Sequence, residues 1–299
     1  MAEMRDFGQG WVDDPDAVAV VASSLDYPTF SDTPAAGMAD GDLPKEVFLW
    51  DAARKILGGL LPPRNQGKVG SCVSFGTNRA VEYTYLSEIA RGEPEEYRDF
   101  AEEITYGGSR VEIGNGKIRG DGSIGAWAAK FVSQWGMVDR AIHGSIDLRQ
   151  YSETRCREYG STGVPLPLEN VAKKYPVKTV TLCKLVENLK KALAQGYAAA
   201  VCSSQGFTFA RNADGIASPS GSWGHCMCIC GYAEIAGKLY FRIDNSWGSQ
   251  AHTGPTGPGN PGPEGFYAAA DVVQKMLNMG DTWLFSGVEG FPKRDYWFV

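Results

Sequence analysis

The sequence predicts an α+β protein with two lobes, helical in its first part and β-rich in its second. The longest helix-compatible run, residues 73–90, contains no proline. From residue 164 onward the apolar runs have a β composition, and two of them flank a short turn at residues 236–238. We therefore divide the chain into an N-terminal arm with a short helix (residues 1–61), a helical lobe (62–163) and a β-rich lobe (164–299).

Composition and charge exclude two classes of partner. The chain has 299 residues, of which 43% are hydrophobic and 21% charged, enough for a sizeable core. Its formal net charge is −6, whereas a nucleic-acid binder needs a basic surface, so we expect no nucleic-acid partner. No apolar run approaches the roughly 20 residues that span a bilayer, so we expect no membrane partner.

The cysteine content and the first residues predict a reducing location. Seven cysteines are an odd number, and the chain is too long to be a disulfide-stapled miniprotein. The first six residues lack the basic and then apolar pattern of a secretory signal. We therefore expect free thiols and a cytoplasmic protein, with a virion component as a further possibility.

The elements of the first half frame one glycine-rich loop. Residues 1–45 are rich in Asp, Pro, Gly and Ala and predict an irregular arm, either a disordered tail or a segment docked on an assembly partner. Residues 47–61 carry a rough helical stripe. The loop then leads to Ser71, which we expect to cap a helix whose first residue is Cys72. The partial positive charge at a helix N-terminus favours a thiolate, so Cys72 is a candidate nucleophile.

The elements after this helix complete the predicted architecture. A second helix is predicted at residues 126–134. The β-rich lobe is expected to contain, in chain order, a strand at 175–181, a helix at 183–195, a buried strand at 197–202, a hairpin of residues 226–232 and 239–243, a Gly/Pro-rich loop at 249–265 and a helix at 270–279.

A cysteine nucleophile needs a base, and the chain offers three histidines. His252 lies in the Gly/Pro-rich loop, where a surface role is expected, and His143 lies in a polar loop. His225 begins an apolar strand of the hairpin, whose other strand ends just before Asn245. The hairpin brings these two residues together, so that the amide oxygen of Asn245 can hold the imidazole while Trp247 shields their hydrogen bond.

These residues together resemble the papain-like cysteine peptidases of the cathepsin group. The resemblance rests on Gln66-Gly67-x-x-Gly70-Ser71-Cys72, on Gly224-His225 opening a strand that ends in Gly231-Tyr232, and on Asn245-Ser246-Trp247-Gly248. It implies a two-lobed fold with a helical left lobe, a β-barrel-like right lobe and the active-site cleft between them. It also implies that peptide bonds are hydrolysed through a thioester, without cofactor or metal, and that the partner is a peptide or protein substrate.

The resemblance also assigns roles to individual residues. It implies that Cys72 is the nucleophile, that His225 is the general base and then acid, and that Asn245 orients His225. The Gln66 amide and the Cys72 backbone N–H would form the oxyanion hole. The remaining candidates are expected to bind substrate or border the cleft: Gly122, Ser123, Trp223 and Trp247.

Several positions depart from the family pattern. Two cysteines that often form a disulfide beside the site are replaced by Val69 and Gly120, and the aromatic residue usual after the nucleophile is Val73. Residues 1–61 do not resemble the long inhibitory prodomain of secreted members, so we expect timing, location or a partner to limit activity. The loop at 249–264 is an insertion that could reach over the primed side of the cleft.

Other clusters are interpreted as structural. Cys226, Cys228 and Cys230 alternate along one strand, an awkward spacing for one tetrahedral metal ion, and are predicted to pack in the core. The acidic pairs at residues 95–96 and 102–103 are predicted to be solvated.

Two alternative functions stay open at this level. One is an acyl transferase or cell-wall amidase that uses the same thioester chemistry. The other is a structural component of a larger assembly, such as a viral particle, that docks through residues 1–45.

Overall fold

The computed structural model describes residues 7–93 and 96–295. The helices are α1 (Pro15–Ala22), α2 (Trp50–Leu57), α3 (Cys72–Ala90), α4 (Glu102–Gly108), α5 (Gly125–Gln134), α6 (Glu153–Thr162), α7 (Leu166–Ala172), α8 (Val186–Ala194) and α9 (Ala270–Leu277). The strands are β1 (Glu46–Phe48), β2 (Ile142–His143), β3 (Ile146–Asp147), β4 (Thr179–Leu182), β5 (Ala199–Phe207), β6 (Pro219–Ile235), β7 (Lys238–Asp244), β8 (Gly265–Ala269) and β9 (Asp281–Ser286).

The α+β class is confirmed, but the β-rich part is not a barrel. One sheet runs in the order β4-β9-β5-β6-β7-β8, with β1 added alongside β6. Its first and last strands, β4 and β8, do not pair with each other in the described part of the chain. Loop residues cover both edges instead, since Thr29 bridges Leu182 of β4 and Ile216 bridges Tyr267 of β8. Because covered edges need no further partner, the sheet stays open, and the barrel expectation was wrong.

Helix α3 is the centre of the molecule. Its residues from Cys72 to Glu88 are all buried, so it has no solvent-facing stripe. It packs directly on β6 at Gly76, where an added Cβ would lie 2.8 Å from the sulfur of Cys226. The absence of a side chain at residue 76 thus lets the helix approach the strand that carries His225.

The start of α3 differs in detail from the prediction. The side-chain cap expected from Ser71 does not form among the described residues. The Ser71 hydroxyl lies 3.3 Å from that of Tyr151, and the Ser71 carbonyl accepts a hydrogen bond from the Ser74 hydroxyl at 2.7 Å. The buried Ser71 hydroxyl therefore contacts Tyr151 in a neighbouring loop instead of capping its own helix.

The prediction of a solvated acidic pair at 102–103 was wrong. Glu102 and Glu103 are fully buried at the start of α4. Glu102 accepts hydrogen bonds from Arg64 and Arg140, and Arg155 bonds Glu103 at 3.0 Å. Buried carboxylates require such partners, which the sequence supplies from distant segments. In the other acidic pair Glu96 is exposed, with 77% of its side chain accessible, whereas residue 95 lies outside the described residues.

The described part of the arm is neither irregular throughout nor detached. It contains α1 and three short 3-10 helices, and α1 packs against α5. The carbonyl of Ala35 accepts a hydrogen bond from Gln195 at 2.8 Å, and the Phe30 ring meets Phe291 edge-on at 6.2 Å. The arm thus contacts its own chain, and an assembly partner for residues 1–45 stays a prediction, as do the boundaries of the three segments.

The hairpin is confirmed as the pair β6–β7, and several other elements were misplaced or missed. The helix predicted from residue 183 begins at Val186, and α6, α7 and β9 were not predicted. Strand β9 is buried along its whole length between β4 and β5. A strand buried on both faces lacks the alternation by which a sequence reveals it.

Substituting Gly76→Val should push α3 away from β6, because the new Cβ would lie 3.3 Å or less from Cys226 atoms. Overpacking of this kind costs about 1–3 kcal/mol, so the urea midpoint should fall. Gly59→Val is the control, since nothing lies within 4 Å of a Cβ there. Equal midpoints for both variants would contradict the close approach.

Candidate active site

The hairpin and α3 bring the predicted catalytic residues together. His225 lies in β6, and Asn245 directly follows β7, whose last residue Asp244 pairs with Cys228. The His225 Nε2 atom is 2.8 Å from the Oδ1 atom of Asn245. The Cys72 sulfur faces the backbone N–H of Cys226, the residue after His225. Nδ1 of His225 is buried and has no hydrogen-bond partner among the described residues.

Trp247 covers the His225–Asn245 pair. Its ring stacks on the His225 ring with centroids 4.3 Å apart and planes inclined by 27°. Trp223 packs against Trp247, with ring centroids 4.7 Å apart, and is 7% exposed. Both tryptophans therefore lie beside the imidazole, and Trp247 keeps water from its hydrogen bond to the amide.

Gln66, in the loop before α3, is hydrogen-bonded to Ser246, the residue after Asn245. Its backbone N–H donates to the Ser246 carbonyl at 2.9 Å, and its Oε1 accepts from the Ser246 hydroxyl at 2.6 Å. Its Nε2 donates to the carbonyls of Val69, at 2.7 Å, and of Gly8, at 3.1 Å. The loop before Cys72 is thus fixed to the segment after Asn245.

The structure adds a feature that the sequence did not predict. Residues 7–12, which we call the strap, run across this group of residues and bury it. The Gly8 carbonyl accepts hydrogen bonds from Gln66 Nε2 and from Trp247 Nε1, the latter at 3.2 Å. The Phe7 ring stacks on Trp247 with centroids 4.8 Å apart. The expectation that timing, location or a partner limits activity did not include a cover supplied by the chain itself.

The strap binds the backbone on both sides of the cleft. The Gly224 carbonyl accepts from the N–H groups of Gly10, at 2.9 Å, and Trp11, at 3.0 Å. Ser123 donates to the Gly10 carbonyl at 2.7 Å and accepts from Val12 at 2.9 Å. The predicted substrate-binding edge at Gly122 and Ser123 is thus an edge that pairs with extended backbone, here in the parallel sense.

Close packing fixes the strap at Gly10. A Cβ added to this residue would lie 1.8 Å from the carbonyl oxygen of Gly70, so glycine is required here. The indole N–H of Trp11 donates to the Asp281 carboxylate at 2.9 Å, inside the protein. The strap is therefore anchored both over the cleft and beyond it.

Burial changes the protonation expected of the Cys72–His225 pair. Burial raises the pKa of the Cys72 thiol to about 12, although the N–H groups of Cys226, Gly10 and Val73 act in the opposite direction. Burial also lowers the pKa of His225 to about 4, and the hydrogen bond to Asn245 offsets only part of this. Both pKa shifts favour a thiol and a neutral imidazole over the ion pair that a helix N-terminus would favour.

His252 is a site residue that the sequence reading missed. It was expected at the surface but is only 3% exposed, and its Nε2 lies 3.1 Å from Nδ2 of Asn245. Its position in a Gly/Pro-rich loop concealed this, because such composition carries no periodicity from which to infer burial. His143 lies apart from the site, with its Nε2 3.0 Å from the Asp139 carbonyl.

The loop at 249–264 is packed against the protein. Arg242 donates to the Gly262 carbonyl at 2.6 Å, and Arg54 bonds the carbonyls of Gly259 and Asn260. The cysteines at 226, 228 and 230 are buried, as predicted for core thiols, and all seven cysteines of the chain are free thiols.

The comparison with protein families identifies the chain. The family described as papain family cysteine protease matches residues 49–254, more than half of the sequence. The chain belongs to the papain family. The match contains all four residues that the sequence suggested for catalysis: Gln66, Cys72, His225 and Asn245.

Known proteins and structures agree with this membership. The chain is 25% identical over 198 residues to cysteine proteinase 1 of Entamoeba histolytica, a match that covers 64% of this chain and 57% of that protein. The chain thus spans little more than half the length of this curated relative.

Among solved structures, the fold is similar to that of xylellain, a cysteine protease from Xylella fastidiosa. The TM-score is 0.57 at 18% identity, with 97% of this chain and 94% of that chain covered. It is also similar to digestive procathepsin L 3 of Tenebrio molitor larval midgut, with a TM-score of 0.56 at 16% identity and with 84% and 72% covered. At these identities the likeness establishes the papain-like fold.

Over the residues that the structure describes, every helix is either too short or too polar to cross a lipid bilayer.

Displacing the strap should expose Cys72 to reagents. Gly10→Val forces a side chain into the Gly70 carbonyl, so the strap should detach and the rate of Cys72 alkylation by iodoacetamide should rise on the order of tenfold. Mass spectrometry after digestion measures the rate at Cys72 itself. Gly41→Val in the same arm, where nothing lies within 4 Å of a Cβ, should leave the rate unchanged. A slow wild-type rate that persists in Gly10→Val would show that the strap does not control access.

The two buried histidines should make the fold sensitive to acid. In the folded protein the pKa is lowered to about 4 for His225 and to about 3 for His252. In the unfolded chain both side chains have a pKa of about 6.5. Below pH 6.5 the unfolded chain binds protons that the folded chain excludes, so each histidine removes up to about 1.4 kcal/mol of stability per pH unit until its folded pKa is reached. Urea midpoints at pH 7 and pH 5 should differ less in His225→Gln than in the wild type. An identical pH dependence in both proteins would contradict the lowered pKa.

Proposed function

We propose that this papain-family protein is a cysteine-type peptidase that hydrolyses peptide bonds through Cys72, His225 and Asn245. The observation that carries the proposal is the 2.8 Å contact between His225 Nε2 and Asn245 Oδ1. With Asn245 Oδ1 as the acceptor, the neutral ring carries its proton on Nε2, and Nδ1 is the basic nitrogen. A buried basic nitrogen on the strand next to a cysteine at a helix N-terminus is the arrangement that nucleophilic catalysis needs.

Acylation follows from this arrangement. Nδ1 of His225 takes the Cys72 proton, and the sulfur attacks the carbonyl carbon of the scissile peptide bond. The negative charge that forms on the carbonyl oxygen is stabilised by the Gln66 amide and the Cys72 backbone N–H. The imidazolium then gives its proton to the leaving nitrogen, the C–N bond breaks and a thioester remains.

Deacylation uses the same groups. His225 takes a proton from water as the water oxygen attacks the thioester carbonyl. The C–S bond breaks, the peptide acid departs, and His225 returns its proton to the Cys72 sulfur. Asn245 holds the imidazole in the required orientation through both half-reactions, and the chemistry calls for no metal or cofactor.

The contacts of the strap support a peptide substrate. The extended backbone of the strap pairs with Ser123 and with the Gly224 carbonyl. The Gly8 carbonyl of the strap accepts a hydrogen bond from the Gln66 side-chain amide. A peptide that replaced the strap could use the same donors and acceptors, with Trp223 and Trp247 at its side. Catalysis therefore requires that the strap first leave the cleft.

Two expectations from the sequence remain predictions beside this proposal. One is a cytoplasmic location, and the other is a docking role of residues 1–45 in an assembly. An acyl transferase or amidase would use the same thioester and would differ only in the acceptor and the substrate.

A peptide-library cleavage assay tests the proposal. Cys72→Ala should abolish cleavage, and Gln66→Ala should lower kcat about 100- to 1,000-fold, the usual effect of removing one oxyanion donor. Cys183→Ala is the matched control, because this buried thiol lies outside the site and bonds only the Leu185 carbonyl at 3.7 Å in the described residues. Cleavage that survives in Cys72→Ala would refute the peptidase proposal. Transfer of the acyl group to an added amine without hydrolysis would favour the transferase instead.

A further inference from the structure

The amide of Asn245 is held at both ends. Its Oδ1 lies 2.8 Å from His225 Nε2 and accepts a hydrogen bond from the Ser246 backbone N–H at 2.8 Å. Its Nδ2 lies 3.1 Å from Nε2 of His252. The three side chains thus form a row, His225–Asn245–His252, with the amide in the middle.

The chemistry of this row selects one orientation of the amide. With His252 accepting at Nε2, the amide must present its N–H to His252 and its oxygen to His225. Rotating the amide by 180° would set its N–H₂ against two donors, the Ser246 N–H and the His225 Nε2–H. It would also set its oxygen against the Nε2 lone pair of His252. An aliphatic residue at position 252 would remove the acceptor that favours this orientation of the amide and leave the buried Nδ2 of Asn245 without a partner there.

We propose that His252 is a positioning residue for catalysis, because its Nε2 accepts from Asn245 and fixes the amide oxygen on His225. The proposal rests on the proposed function, since it assigns a task within that reaction. His252 does not contact the reacting atoms and acts through Asn245.

The surroundings of His252 are built to hold it in place. The residue on its C-terminal side, Thr253, donates to the Phe209 carbonyl at 3.0 Å and accepts from Arg211 N–H at 2.9 Å. The Arg211 guanidinium bonds the carbonyls of Gly254, at 2.7 Å, and Gly265, at 2.6 Å. The ring itself packs 4.8 Å from the Phe266 ring. A Gly/Pro-rich loop thereby carries a side chain in a fixed position.

The environment also keeps His252 neutral, as an acceptor must be. Burial and the charges of Arg211 and Arg242 together lower its pKa to about 3, while the Phe209 carbonyl acts in the opposite direction. A neutral ring that accepts at Nε2 carries its proton on Nδ1. Protonation of Nε2 would convert it into a donor and remove the contact with Asn245.

The test compares His252→Phe, which keeps a planar ring without an acceptor, with His252→Gln, whose amide oxygen can replace Nε2. In the full chain, His252→Phe should lower kcat about 10- to 100-fold on a cleaved library peptide with little change in KM. His252→Gln should recover most of that loss. His143→Phe is the matched control and should keep the wild-type kcat. If His252→Phe melts well below the wild type, His252→Leu makes the same comparison.

Two further measurements separate positioning from general damage. In an Asn245→Ala background, His252→Phe should cost less than about twofold, because the group through which it acts is gone. Imidazole ¹⁵N spectra of the three histidines should give the Nε2–H tautomer for His225 in the wild type and a mixture of tautomers in His252→Phe. These spectra do not depend on turnover, so they decide the proposal even if Cys72-dependent cleavage is not found. An unchanged His225 spectrum, or an equal loss of kcat with and without Asn245, would overturn it.

Discussion

The burial of α3 against β6 is the constraint on which the site depends. A helix enclosed on all sides leaves its first residue, Cys72, no freedom of position, and the contact at Gly76 sets its distance from the strand of His225. The same enclosure obliges the polar residues of α3 to find partners. Glu82 binds Arg64, and Glu88 binds Arg294 and the backbone of Gly287. These bonds join the loop before Cys72 and the end of the chain to one helix.

The pKa of Cys72 depends on its burial more than on the helix terminus. A helix N-terminus and nearby N–H groups favour a thiolate, but burial outweighs them: it raises the pKa of Cys72 and lowers the pKa of His225. We expect displacement of the strap to return water to both groups, which would favour the ion pair. The side chains proposed for catalysis thus lie close together in an environment that favours their neutral forms.

The candidate residues that the sequence suggested stand in local motifs, whereas those that it missed owe their positions to the fold. Cys72, His225 and Asn245 stand in motifs, and the short turn between β6 and β7 places two of them side by side. The burial of Glu102 could not be predicted, because its partners Arg64 and Arg140 are 38 residues away on either side. His252 and the strap were missed for a similar reason, since Gly- and Pro-rich segments carry no pattern that reveals what they pack against.

The strap is joined to the cleft that it fills, and this connection has a consequence for any incoming peptide. A tethered segment behaves as a competitor at an effective concentration that is millimolar for short flexible linkers, however dilute the protein is. Dilution therefore cannot release it. An external peptide would bind with its intrinsic affinity multiplied by the fraction of molecules whose cleft is vacant. For the peptidase proposed above, selection among substrates would depend partly on which sequences compete with residues 7–12, so a segment of the same chain would set the affinity that every ligand must exceed.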